Sequence, residues 1–181
     1  MKMSEIRSVH IYVDGSCSEN RNVTSDTRAG WGLCVIVNDG GSGNGKGHLF
    51  TELNGEVITN PDEGGYLGAE VGSNNTAELS AIAHALRWLL GESVVESATI
   101  RGDSNYALNI ASGLWKAKAN KELARKVVDL WNEVSEIIGL AGEHVRAHRG
   151  HRWNERADHL AFRAMQGEAP LPIQFWKPGQ R

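Results

Sequence analysis

The sequence predicts an α/β domain, a mixed sheet with helices packed on it. Two patterns and their order carry that reading. Short apolar or alternating runs near residues 9–13, 31–37, 48–58, 97–100 and 143–147 have the character of strands. Longer runs starting near residues 75 and 121 place apolar residues at helical spacing, and a further helix follows residue 154. The resulting order is three strands, helix, strand, helices, strand, helix. A chain of 181 residues is long enough for one compact domain with its own core.

Val9, Ile11 and Val13 alternate with His10, Tyr12 and Asp14, and the strand is expected to stop at Gly15. Residues 20–29 read as a polar loop. Trp31 to Val37 is the second strand. Asn38 to Gly47 holds five glycines and reads as a flexible hairpin connection, with no strand–loop–helix context for a phosphate loop. Residues 48–58 supply the third strand, and 60–72 look like an exposed insertion. Asn75 is expected to open a long helix whose stripe is Leu79, Ile82, Leu86 and Leu89, ended by Gly91. Ser97 to Ile100 is a short strand reaching Asp103, followed by a short helix over 104–112. A second long helix runs from about Lys121 with Leu123, Val127, Leu130, Val134 and Ile137 on one face, stopped by Gly139. Glu143 to Ala147 is the last strand. Asn154 is expected to cap a final helix through about Met165.

The main domain is therefore taken as residues 1–168. Residues 169–181, with three of the four prolines, form a loosely attached tail. The six tryptophans are expected mostly in the core. Residues 1–8 lack the apolar centre of a secretory leader, and no apolar run approaches a membrane span. Cys17 and Cys34 are then expected as free thiols in a cytoplasmic protein. The formal net charge of −3 counts mildly against a nucleic-acid partner, unless a carboxylate cluster holds divalent metal.

Four acids stand out by placement. Asp14 and Asp103 end strands, while Glu78 and Asp158 fall in first helical turns. Strand ends and helix starts can meet at one edge of an α/β sheet. Four carboxylates gathered there would repel one another unless divalent cations neutralise them, and hard oxygen ligands suit magnesium or manganese. Each acid also has a purely structural reading. Glu78 could close a capping box with Asn75, Asp158 could favour a helix dipole, and Asp14 and Asp103 could be turn residues.

Four segments in order resemble the type 1 ribonuclease H family. They are Asp14-Gly15-Ser16-Cys17 with Asn20 following, and Asn74-Asn75-Thr76-Ala77-Glu78-Leu79. Gly102-Asp103-Ser104-Asn105-Tyr106 and His148-Arg149-Gly150-His151, running on to Asn154-Glu155-Arg156-Ala157-Asp158, complete the set. The resemblance implies a ribonuclease H-like fold, a five-stranded mixed sheet with helices on both faces. It implies metal-dependent endonucleolytic cleavage of the RNA strand of an RNA/DNA hybrid, with 5′-phosphate and 3′-hydroxyl products. It gives Asp14, Glu78, Asp103 and Asp158 the role of ligands for two Mg2+ (or Mn2+) ions and makes His148 the catalytic histidine. Asn20, Asn74 and Asn75 match positions that read the minor groove and RNA 2′-hydroxyls. Ser73 and Asn120 match a pocket for a DNA phosphate, in which some relatives carry an arginine near the position of Val71. Trp115 offers a flat face to the DNA strand or fills the core, and Lys116, Lys118 and Lys121 leave a modest basic patch. Arg146, Arg149, Arg152 and Arg156 either attract phosphate or are solvated charges. The implied partner is the hybrid alone, bound by a monomer with no membrane and no obligate protein partner. A hybrid-binding module without catalysis, and another nuclease on the same fold acting on branched DNA, are the alternatives.

Overall fold

A computed structural model describes residues 7–92 and 94–181. The polar stretch 1–6, read above for its lack of an apolar centre, lies outside the described residues. The elements are β1 (Ser8–Cys17), β2 (Ala29–Val37), β3 (His48–Glu56), α1 (Asn74–Leu90), β4 (Ser97–Gly102), α2 (Asn105–Ala111), α3 (Lys121–Ser135), β5 (Gly139–His144) and α4 (Arg152–Gln166). They form a five-stranded sheet in the order β3-β2-β1-β4-β5. The β1–β2 and β2–β3 pairs are antiparallel, and β1–β4 and β4–β5 are parallel. Parallel pairs need a crossover, which α1 supplies between β3 and β4, and α2 with α3 between β4 and β5.

Helices cover both faces, as the resemblance implied. On one face Val9, Ile11, Val13, Leu33 and Val35 meet the stripes of α1 and α3, and Leu79, Ile82, Leu86 and Leu89 are all buried. Full burial of such a side chain is worth roughly 1.5–3 kcal/mol. On the other face Tyr12, Cys34 and Ile36 meet Trp153, Ala157 and Leu160 of α4. Trp31, Trp131, Trp153 and Trp176 are buried, but Trp115 is 49% exposed, so its core reading does not hold. Both cysteines are free. Among the described residues no helix is long and apolar enough to cross a membrane.

Several expectations need correction. β1 does not stop at Gly15 but runs on to Cys17, pairing Gly15 with Trp31. β5 lies over Gly139–His144 rather than 143–147, because pairing with β4 overrides the weak strand propensity of Gly139 and Gly142. The glycine-rich connection is not loose. Its Asp39 is bonded to Tyr12 and His10, the Lys46 carbonyl accepts from Trp153 Nε1 at 2.8 Å, and the Asn44 carbonyl accepts from the Arg152 backbone at 2.9 Å. The 60–72 insertion buries Ala69, packs Leu67 on the core, and ties back to the 20–29 loop through Gly72 N–H to the Thr24 carbonyl. The 169–181 segment is not loosely attached either. It makes a short 3-10 turn (Ile173–Phe175) and buries Trp176 to 3% exposure beside α4.

Candidate active site

Register alone puts two of the acids together. The last parallel pair of β1 with β4 is Val13 with Gly102, so Asp14 and Asp103 are the next residues on adjoining strands. Such strands lie roughly 4.8 Å apart. This is also where the chain reverses its direction of travel across the sheet, the usual place for a site in an open α/β sheet.

Two glycines bring in the helices. A Cβ on Gly15 would lie 2.5 Å from the Glu78 backbone nitrogen, so only glycine lets β1 touch α1 where Glu78 sits. A Cβ on Gly32, paired with Asp14, would lie 2.7 Å from the Ala157 carbonyl oxygen, so β2 admits α4 beside Asp158 in the same way. Ligand atoms of Asp14, Glu78 and Asp103 come within 4.8 Å of one another. Asp158 is close enough to act on all three electrostatically, but its carboxylate is outside that set.

The structural readings of the two helical acids fail. Ser73, not Asn75, caps α1, in a reciprocal box with Thr76, and Glu78 lies beyond the first turn. His151, not Asn154, caps α4, which puts Asp158 in its second turn. Neither carboxylate is engaged by a helix end, and both are buried, at 3% and 8% exposure.

Burial is the main cause of the electrostatic strain here. It raises Asp14 well above the usual carboxylate range, helped by the charges of Glu78 and Asp103. It pushes Glu78 up to about 8, with a hydrogen bond from Asp14 working the other way. Asp103 is raised by burial and by Asp158, and is drawn back by His148 and His144. Three neighbouring carboxyls whose ionised forms are disfavoured form a site that lacks positive charge. Such a set of oxygen donors could hold a hard divalent cation.

The other predicted residues are distributed around this point. His148 is exposed, in a left-handed backbone conformation at φ 54°, on the loop between β5 and α4. Asn20 accepts from the Cys17 thiol at 3.1 Å, and the Asn74 backbone N–H also bears on that thiol, so the three gather at the end of β1. Asn74 and Asn75 are exposed in the first turn of α1, with no capping duty. Asn120 precedes α3 in a left-handed conformation and makes no side-chain cap. Trp115 borders two shallow grooves together with Lys116, Lys118 and Lys121. Arg156 is not available to a phosphate, because it is fully buried in a two-point pair with Glu52 at 2.6 and 2.8 Å. Arg146 and Arg149 are exposed, and Arg152 lies over the rings of Trp153 and Trp176.

Three contacts were not foreseen from sequence. His144 bonds the Asp103 carbonyl through Nε2 at 3.1 Å. Arg181 grips both oxygens of Asp158, Nε at 3.1 Å and Nη2 at 3.0 Å. A buried network of Tyr12, Asp39, Arg101 and His151 anchors the loop that carries His148 to the sheet. Although burial opposes it, bonds from Tyr12, Gly41 and His10 hold Asp39 below its usual range. Only His144 and His151, flanking the motif histidine, left a visible trace in sequence.

The family model for RNase H matches residues 6–166. The chain belongs to the ribonuclease H family, type 1. It is 32% identical over 169 residues to the ribonuclease H of Cupriavidus pinatubonensis, covering 88% of this chain and 97% of that one. It is 30% identical over 166 residues to the ribonuclease HI of Neisseria meningitidis, covering 87% and 94%. Its fold matches the crystal structure of RNase H1 from Halobacterium salinarum, with a TM-score of 0.62, 24% identity, and 88% and 98% coverage. It matches LC11-RNase H1 in complex with an RNA/DNA hybrid equally well, with a TM-score of 0.62, 23% identity, and 88% and 97% coverage. The family match ends before the segment that carries Arg181.

Proposed function

We propose that this ribonuclease H cuts the RNA strand of RNA/DNA hybrids endonucleolytically, leaving 5′-phosphate and 3′-hydroxyl ends. The convergence of Asp14, Glu78 and Asp103 within 4.8 Å carries the reading. A module that only bound hybrids would gain nothing from buried carboxylates that repel one another. The same observation disfavours that alternative. Two Mg2+ or Mn2+ ions fit this donor set, held by Asp14, Glu78 and Asp103 with Asp158 joining them. When bound, they supply Lewis acidity and a water acidified toward neutral pH.

The rest of the work falls to the chain. Asp14, which faces the charges of both Glu78 and Asp103, would hold metal together with them. His148, on the loop between β5 and α4 and near enough for its charge to act on Asp103, is the proton carrier for the leaving oxygen. Asn20, Asn74 and Asn75 present amides that donate and accept, suited to 2′-hydroxyls in a wide minor groove. Ser73 and Asn120 flank the DNA strand's phosphate, and Trp115 with its lysines extends the contact along the backbone. Two unpaired thiols accord with a cytoplasmic location, and the reading requires no partner beyond the hybrid, bound by a monomer.

The test is magnesium-dependent digestion of an end-labelled hybrid beside matched RNA duplex, DNA duplex and DNA junction. Internal cuts confined to the hybrid's RNA strand, and lost in Asp14→Asn, support the assignment. Preferential junction cleavage, or hybrid binding without cleavage in both proteins, would replace it with one of the alternatives.

A further inference from the structure

The 168–181 segment is placed by contacts spread along its length. Trp176 is buried, with the guanidiniums of Arg152 and Arg156 over its ring at 5.9 and 5.2 Å. Its Nε1 donates to the Gln180 carbonyl at 3.0 Å, and His159 Nδ1 meets the same oxygen at 3.3 Å. The Leu171 N–H donates to His159 Nε2 at 3.0 Å. The Arg181 carbonyl accepts from Arg163, and the Arg181 guanidinium lies 4.8 Å over the Phe162 ring. These anchors deliver one cation to one place, the carboxylate of Asp158, whose two oxygens are both occupied by the guanidinium fork.

We propose that Arg181 is a built-in counter-cation for Asp158 that competes with divalent metal for the same two oxygens. The inference rests on the reading of Asp158 as a metal ligand. Three observations support it. Asp14, Glu78 and Asp103 form the close carboxylate set, and Asp158, the acid that holds an arginine, is the one outside it. The side chain of Asp158 is 11% exposed, so a cation binding there must do so through oxygens that already carry two donors. A guanidinium and a divalent ion cannot occupy those oxygens together, because like charges at such separations repel strongly in a partly buried site. Docking of the segment and metal occupancy at Asp158 therefore oppose each other. The segment sets how much magnesium the enzyme needs, and it lies beyond the residues that the RNase H family model matches.

The test is titration of Mg2+ or Mn2+ into the full chain by calorimetry, with no nucleic acid present. In Arg181→Gln the weaker metal step should tighten about fivefold, the scale of a half-exposed ion pair. Trp176→Ala, which releases the anchor, should move affinity in the same direction, and Arg181→Lys should restore part of the wild-type value. In an Asp158→Asn background the Arg181→Gln change should have no further effect, since the contested oxygens are gone. Unchanged or weaker metal binding in Arg181→Gln overturns the proposal, even where Trp176→Ala fails to fold. If Asp158→Asn weakens metal binding while Arg181→Gln does not tighten it, the proposal alone fails. If Asp158→Asn binds metal as wild type does, the ligand role of Asp158 fails and the proposal with it.

Discussion

Replacing Glu78 by Gln keeps the shape of a fully buried side chain and deletes its charge. In the unfolded chain Glu78 ionises near 4.5, and in the folded apoprotein only near 8. Between those values the folded state holds the extra proton, so apoprotein stability falls as pH rises. The slope is about 1.4 kcal/mol per pH unit while the difference in protonation is complete. Integrated from about pH 6.5 to 8, the loss attributable to Glu78 is about 2 kcal/mol, or a Tm lowered by about 5 °C in a chain of this size. Burial lowers His84, His151 and His159, and their contribution runs the other way and is still rising in the lower part of this window, so the difference between wild type and Glu78→Gln isolates the carboxyl. Thermal melts in chelator, at closely spaced pH values, provide the assay. The wild-type apoprotein should lose more stability across the window than Glu78→Gln, which keeps the loss due to Asp14 and Asp103, and saturating magnesium should flatten the wild-type curve. A Glu78→Gln variant whose Tm follows the wild-type pH dependence across this range refutes the reasoning.

Four further outcomes are expected. Asp14→Asn and Asp103→Asn should abolish cleavage of a labelled hybrid while apo Tm holds or rises, because each deletes one of the repelling charges. His148→Ala should slow single-turnover cleavage by about 10²–10⁴-fold with metal affinity near normal in a magnesium titration, since the residue is exposed and outside the carboxylate set. Asn74→Ala with Asn75→Ala should raise KM for the hybrid and erode discrimination against DNA duplex at little cost in Tm. Ser73→Ala should instead cost about 1 kcal/mol in chemical denaturation, because Ser73 makes the α1 cap.

What could be read from the sequence was mostly what is local in the chain. The alternation of Val9, Ile11 and Val13 and the stripe of Leu79, Ile82, Leu86 and Leu89 express the periods of strand and helix, and both packed as expected. The carboxylates were legible because each lies near a strand end or near a helix start within a recognisable motif. The helix starts themselves were misjudged. Asn75 and Asn154 have good capping chemistry, but Thr76 Oγ1 bonds back to the Val71 and Ser73 carbonyls and fixes the start of α1 two residues earlier, at Ser73. His151 is drawn to the α4 cap by its contact with Tyr12, which is 139 residues away in sequence. The 169–181 segment was misread because proline content describes the segment alone. Its order comes from Trp176 and Arg181 meeting α4, which no local pattern encodes.

The adjacency of Asp14 and Asp103 follows from counting along two paired strands that are far apart in the chain. A slip of one residue between β1 and β4 would carry Asp103 roughly 3.3 Å along the strand and turn its side chain to the opposite face. Such a molecule could retain its helices, its circular dichroism and much of its compactness, and it would be catalytically silent. Recovered activity after refolding therefore counts correctly aligned sheets, where spectroscopy counts only collapsed ones. A refolding yield that is lower by turnover than by ellipticity would be the signature of a misaligned fraction, and the cleavage reaction would serve as a ruler for the register of the protein that performs it.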